Sequence, residues 1–325
     1  MAEAVAVATL VASSRAAVIR IADREFFREW WVAIVARLQM MLAELSKRYP
    51  RKTKMAIGSV SRDSTPIRGA GYARAMCGRY ALDVTGEAIA AAFQAGLGSL
   101  DAWSPSWNVA PTCGAPVIRR FKGEIRVDVL RWGLVPPWSK DPSGGARMIN
   151  ARAETIDSKP AYREAFRERR CLVPVRAFYE WMGPAGRRRP VAIRSCTEEL
   201  LALAGLWEMA EPEPGRMLET FTIVTTAAGP ALEPIHHRMP VVLHGLDRDR
   251  WLDRDGGDSD GTGTDSPGAV LERATDGALR FHAVSKRVGS ARNDGPDLLE
   301  EAPFESPGSG GSASDGPGLF DGRVH

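Results

Sequence analysis

The residues best equipped for chemistry in this sequence begin at Met76-Cys77-Gly78-Arg79-Tyr80. An internal cysteine there is a small apolar residue ahead of a turn, and on the pentapeptide alone that reading is preferred. A cysteine left as the first residue, after an aminopeptidase has removed Met76, is a different reagent. Its α-amine has a pKa of about 7.7–8.0, so a useful fraction is neutral near physiological pH. Its thiol, near about 8.5 when unperturbed, is activated by a neighbouring base or cation. Amine and thiol on adjacent carbons can attack one aldehyde: nitrogen forms an imine, and sulfur then closes a five-membered thiazolidine ring. An internal cysteine cannot do this, because its nitrogen is an amide.

Further motifs follow in order: Asn108-Val109-Ala110-Pro111, Arg131-Trp132-Gly133-Leu134-Val135-Pro136-Pro137-Trp138, Ile149-Asn150-Ala151-Arg152-Ala153-Glu154-Thr155 and Phe178-Tyr179-Glu180-Trp181. Ala204-Gly205-Leu206-Trp207 and Ile235-His236-His237-Arg238-Met239-Pro240 come next, with Val284-Ser285 and Asn293 near the end. Each is weak alone. Together, from Cys77 to about Asn293, they resemble the SOS response-associated peptidase (SRAP) family over roughly two thirds of the chain.

The resemblance implies one α+β domain that recognises abasic sites in single-stranded DNA and crosslinks to them through an N-terminal cysteine. Cys77 is then the nucleophile. Asn150 orients the open-ring sugar or the nascent adduct, Glu180 moves protons during imine formation and ring closure, and His236 helps open the sugar and assists reversal. Elementary chemistry agrees. An abasic deoxyribose is mostly a closed hemiacetal, and histidine titrates near enough to neutrality to release its aldehyde. Carbinolamine dehydration needs an acid, and a partly buried glutamate can have a raised pKa. An amide hydrogen-bonds a hydroxyl or alkoxide without taking on charge. Plainer readings stand beside these. Asn150 could cap a turn. Glu180 could lie on the outer side of an amphipathic strand, the preferred reading without the family. His236 and His237 are adjacent, so one at most faces a given site. His244 and His282 read as structural or surface residues.

For DNA contact, Arg79, Arg152 and Arg238 each lie two residues beyond a proposed catalytic residue. On strands that offset gives one face, where arginines serve as phosphate clamps. Trp138, Pro111 and Asn108 are candidates to stack on or wedge beside unpaired bases. Trp132 and Trp207 read as core, and Arg187-Arg188-Arg189 as a solvated hairpin tip. The expected partner is single-stranded DNA containing abasic sites, met by a monomer with no metal or organic cofactor. Alternatives are a cysteine-type peptidase using Cys77 and His236 on proteins, or a non-covalent single-stranded DNA binder if Cys77 stays internal.

The elements that must position these residues are short. Apolar runs at Val117–Phe121, Ile125–Trp132, Arg170–Val175, Pro190–Arg194, Leu200–Trp207 and Phe221–Thr226 read as strands. Glu87–Gln94, Ile156–Arg169 and Leu246–Leu252 read as helices. The expected fold class is α+β, a mixed and largely antiparallel sheet with short helices. The Asp/Gly/Ser/Thr-rich stretch 253–267 reads as a mobile loop, and 294–325 as a disordered acidic Gly/Ser/Pro tail. Its Leu319-Phe320 pair could meet a replication-clamp groove, though a linker end is preferred.

The 325 residues carry a net charge of +3 that hides a split: residues 1–76 hold +7 and the remainder −4. Bulk charge therefore does not mark a nucleic-acid binder beyond residue 76, and a DNA site there must be a local patch. Four cysteines without C-x-x-C spacing argue against a structural zinc and against a secreted disulfide scaffold. No apolar run is long enough for a membrane span, and the cytoplasm, with nucleoid association on DNA, is the expected location. Residues 1–76 read as an extension, with helical periodicity over 23–49 and a basic linker over 50–75. Three explanations stand open: a misassigned start with Met76 the initiator, cleavage before Cys77, or an added domain. The first is preferred, because Met76 lies directly at the motif.

Overall fold

The computed structural model describes residues 78–303, apart from 101–102, 185, 198, 254–265 and 274–278. The helix expected over 23–49, the linker 50–75, Cys77, most of the 253–267 loop and the Leu319-Phe320 tail lie outside the described residues.

Fourteen strands and four α-helices are described, in chain order. They are β1 (Tyr80–Leu82), α1 (Gly86–Ala92), β2 (Gly96–Leu97), β3 (Ser106–Val109), β4 (Gly114–Phe121), β5 (Glu124–Trp132), β6 (Asn150–Arg152), α2 (Pro160–Glu168), β7 (Arg170–Val175), β8 (Ala177–Met182), β9 (Arg189–Ser195), β10 (Leu201–Glu213), β11 (Arg216–Ala227), β12 (Arg238–Pro240), β13 (Val242–Leu243), α3 (Leu246–Leu252), α4 (Pro267–Arg273) and β14 (Leu279–Ala283). The expected class holds: the pairing is mostly antiparallel, with parallel contacts at β2–β5, β5–β11 and β6–β11.

The larger sheet runs β12-β11-β10-β7-β4-β5-β2, and β5 also pairs with β11. Strands β11, β10, β7, β4 and β5 therefore close on themselves as a small barrel, which removes exposed edges. The second sheet, β14-β9-β8-β1-β3, is antiparallel throughout. Aromatic rings join the two. Tyr80 of β1 lies 5.1 Å from Trp132 of β5, which stacks on Phe221 of β11 at 6.3 Å. All three are fully buried, and such pairs contribute about 0.5–1.5 kcal/mol beyond their buried area.

Helices α2 and α3 are tied to the barrel by one buried cation. Arg170, at the start of β7, donates to the carbonyls of Phe166, Arg167, Trp251 and Asp253 at 2.7, 2.5, 2.7 and 2.5 Å. These are the unsatisfied carbonyls of two helix C-termini, where a positive charge is favoured. The outer face of the second sheet is covered by the chain's own last described segment. Val288 and Leu298 pack on Ala81, Ala177, Tyr179 and Ala192.

Candidate active site

Each candidate residue sits where two elements meet. Tyr80 pairs with Phe178, and the Tyr179 N–H donates to the Arg79 carbonyl at 2.9 Å. The same antiparallel register sets Gly78, the first described residue, opposite Glu180. Glu180 is buried, at 5% exposure, on the central strand β8. It is therefore not the solvent-facing strand residue that its aromatic neighbours suggested. Cys77 precedes Gly78 by one peptide bond and lies outside the described residues.

Asn150 opens β6, which runs parallel to β11 with Asn150 beside Ile223. Its backbone is held on both sides. The Ile149 carbonyl accepts from Trp132 Nε1 at 3.0 Å and from the Ile223 N–H at 3.0 Å, and the Tyr162 hydroxyl donates to the Asn150 carbonyl at 3.4 Å. Trp132, the residue under Tyr80, thus couples the strand that follows Cys77 to the strand that carries Asn150. The preceding loop is pinned by Gly133, whose φ of +121° and close approach to Gly145 leave no room for a side chain: a Cβ would sit 2.5 Å from the Gly145 carbonyl.

His236 ends the turn that leads into β12, which lies on the opposite edge of β11 from β6. The Arg238 N–H and the Arg238 carbonyl each lie 3.2 Å from His236 Nδ1. The His237 ring packs 4.4 Å away. Burial holds the His236 imidazole below the ordinary histidine value. The Arg238 backbone contact opposes that, while His237, Arg188 and Arg238 add to it. Arg188, in the β8–β9 hairpin, is among the charges that act on His236. The Trp132 bridge ties the segment of Asn150 to Tyr80 of β1, and β1 in turn pairs with the strand that carries Glu180.

The arginines differ in what they hold. Arg152 is exposed, and no hydrogen bond or ion pair joins it to another described residue. Arg79 donates to Asn108 Oδ1 at 3.0 Å and to the carbonyls of Val288 and Gly289 at 3.2 and 3.4 Å. Arg238 makes two bonds to Glu154, at 2.7 and 2.9 Å, and reaches the Thr225 carbonyl at 2.6 Å. The shared-face argument fits Asn150 and Arg152, which flank a buried Ala151 on β6. It does not fit His236 and Arg238, because His236 lies in a turn.

Among the base-contact candidates, Trp138 is 61% exposed. Pro111 is half-buried in the turn after β3, next to Thr112 at φ +71°. Asn108 is buried, and its amide donates to the carbonyls of Val288, Ser290 and Asn293 at 3.3, 3.0 and 2.8 Å. That amide secures the C-terminal segment, a task different from base contact. Trp132 and Trp207 are core residues as expected. The sequence reading gave no role to Glu154 or Thr225. Glu154 was visible only as an acid two residues past Arg152. Among the described residues no three His, Cys, Asp or Glu side chains group as metal ligands, and no helix is long and apolar enough to cross a membrane.

A closed barrel with a second sheet packed on it defines an α+β domain, with Asn150 on β6, Glu180 on β8 and His236 in the segment before β12. The sequence model of the SOS response associated peptidase (SRAP) family matches residues 76–291, and the chain belongs to that family. It is 37% identical over 199 residues to the abasic site processing protein YoqW of Bacillus subtilis, covering 61% of this chain and 87% of the relative. It is 32% identical over 230 residues to the abasic site processing protein HMCES of Gallus gallus, covering 61% and 66%. A crystal structure of a protein from Bacteroides thetaiotaomicron shares the fold, with a TM-score of 0.59 at 23% identity over 70% of this chain and all of the other.

Proposed function

We propose that this protein captures abasic sites in single-stranded DNA covalently, through Cys77 as an N-terminal residue. The reading is supported by Glu180, buried on β8 opposite the Gly78 that Cys77 precedes, in a family whose relatives are named abasic site processing proteins. In this scheme the Cys77 amine adds to the C1′ aldehyde, and the carbinolamine loses one water to give an imine. The thiol sulfur then adds to the imine carbon while its proton passes to nitrogen. One water leaves in all, and no oxidant or reductant is needed.

Glu180 serves as the proton carrier for dehydration, Asn150 as the hydrogen-bond partner of the sugar oxygen, and His236 as the group that opens the closed sugar. Arg152 contacts backbone phosphate and Trp138 stacks on an unpaired base. Pro111 stands beside that path, while Arg79, Asn108 and Arg238 hold the frame that the DNA meets. Such a protein acts as a monomer on chromosomal DNA in the cytoplasm.

The test is incubation of protein beginning at Cys77 with a single-stranded oligonucleotide containing one abasic site. A denaturant-stable adduct is expected, and Cys77→Ala abolishes it. No adduct with the intact Cys77 terminus rejects the reading. The sequence itself supports a second state, since 76 residues precede Cys77. A chain that keeps them has an amide at that nitrogen and binds without closing the ring.

A further inference from the structure

Glu154 lies four residues past Asn150, in the short 3-10 turn after β6. Its carboxylate reaches across β11 to a strand on the far edge. There it takes both terminal nitrogens of Arg238, at 2.7 and 2.9 Å, in the fork geometry that guanidinium and carboxylate favour. The Arg238 side chain is only 10% exposed, and Nη2 also donates to the Thr225 carbonyl and hydroxyl at 2.6 and 3.3 Å. Thr225 in turn donates to the Ala151 carbonyl at 3.3 Å. Three strands are laced at one point, and the main chain of Arg238 is fixed by its own side chain. That main chain is what His236 rests on.

We infer that Glu154 is a positioning residue for His236: by gripping the Arg238 guanidinium it fixes the Arg238 peptide groups against Nδ1 and so aims Nε2. The inference rests on the covalent-capture reading above. Both Arg238 peptide groups lie 3.2 Å from Nδ1. With the proton on Nε2, Nδ1 accepts from the Arg238 N–H. With the proton on Nδ1, it donates to the Arg238 carbonyl and Nε2 is a base. In that second form Nε2 takes the proton of the C1′ hydroxyl. The C1′–O4′ bond breaks with its electron pair moving to O4′, and the imidazolium returns the proton to O4′. The imidazolium keeps its Nδ1–H on the Arg238 carbonyl throughout, so the ring has no need to turn. A hydrogen bond to one ring nitrogen that fixes tautomer and ring orientation is a recurrent device for histidine.

The titratable and charged groups acting on His236 are His237, Arg188 and Arg238, all of which disfavour its protonation. Glu154 neutralises Arg238, so its removal strengthens that repulsion. The experiment compares wild type, Glu154→Gln and Glu154→Asp, each beginning at Cys77. It reads the rate of adduct formation against pH, the affinity for undamaged single-stranded DNA, and the ring ¹⁵N titration of His236. Glu154→Gln is expected to slow capture about tenfold, a part of the roughly 10²–10⁴ that a placed acid–base group supplies. Affinity for undamaged DNA stays within about twofold, a change too small to account for that rate. The titration midpoint of His236 moves to lower pH, and Glu154→Asp, which keeps the charge, restores the midpoint and part of the rate. An unchanged rate and midpoint in Glu154→Gln overturns the inference, as does a rate loss that only tracks DNA affinity. Should wild type form no adduct, the capture reading fails on its own, and the ¹⁵N titration still decides the role of Glu154. Should Glu154→Gln not fold, Glu154→Asp against wild type carries the same comparison of rate and midpoint.

Discussion

Trp132 hands its indole N–H to the Ile149 carbonyl at 3.0 Å while its ring lies 5.1 Å from Tyr80, so one buried side chain touches the segments on both sides of the candidate site. Trp132→Phe keeps an aromatic ring and removes the donor. The Ile149 carbonyl retains the Ile223 N–H, so the stability loss in urea is about 1–2 kcal/mol. Capture of abasic DNA falls further than binding of undamaged DNA, because the shift is felt at Asn150. Equal losses in the two assays would remove Trp132 from the positioning of the site.

Arg152 and Arg79 separate binding from stability. Arg152 stands exposed with no hydrogen bond or ion pair to another described residue, so Arg152→Ala leaves the urea midpoint within about 0.5 kcal/mol of wild type. It lowers the salt-dependence slope of single-stranded DNA binding by about 0.7, the loss of one phosphate contact. Arg79→Ala frees the carbonyls of Val288 and Gly289 and costs about 1–3 kcal/mol of stability. Fluorescence anisotropy against salt, beside urea unfolding, tells the two apart.

Trp138, at 61% exposure, has little to do for the fold. Trp138→Ala should weaken single-stranded DNA binding by about 1–3 kcal/mol, the range for one stacked base. Thermal unfolding stays where it was. An affinity equal to wild type would take Trp138 off the DNA path.

The depressed His236 sets a direction with pH. A base whose folded value lies below its unfolded value leaves the unfolded chain holding more protons in between. Its contribution to stability is complete above the unfolded value, near 6.5, and is lost as pH falls through the folded value. The rate of capture should hold up to lower pH than an ordinary histidine allows, since the neutral ring persists. His236→Gln removes that limb from the pH–rate profile, and a profile with the same limb assigns it to another group.

Asp128 and Arg119, each 1% exposed, form a buried pair at 2.8 Å, with Arg126 on the same carboxylate oxygen. Asp128→Asn leaves a buried guanidinium with only Glu219 opposite it, and costs about 3–5 kcal/mol. Guanidinium chloride midpoints measure this. A loss under about 1 kcal/mol would show the pair to be well screened.

Much of the scaffold can be read along the chain. Arg170–Val175 and Leu246–Leu252 coincide with β7 and α3, because an apolar run between turn residues leaves little choice. The helix expected over Ile156–Arg169 begins only at Pro160, and the proline at its first turn was the overlooked signal. β10 and β11 extend past the expected Leu200–Trp207 and Phe221–Thr226 because their pairing continues into a polar hairpin beyond the core. β1 has three residues, too few for a period. The motif order marked Asn150, Glu180 and His236, but nothing local gave Glu180 its burial. The partners of Asn108 lie 180 to 185 positions away, and those of Arg238 at 84 and 13. Such bonds exist only after the sheets have formed.

The fold joins its first described residues to its last: Arg79 reaches the Val288 carbonyl, 209 positions downstream, and Asn108 gathers the carbonyls around it. During synthesis the leading strand must therefore wait. Until the ribosome has released the segment near residue 293, Arg79 and Asn108 lack the carbonyls of Val288, Gly289, Ser290 and Asn293, and the outer side of Ala81, Ala177 and Tyr179 is bare. A nascent chain halted before that point would carry β1 on an unfinished sheet, so this end of the domain is completed only when translation of the domain is complete.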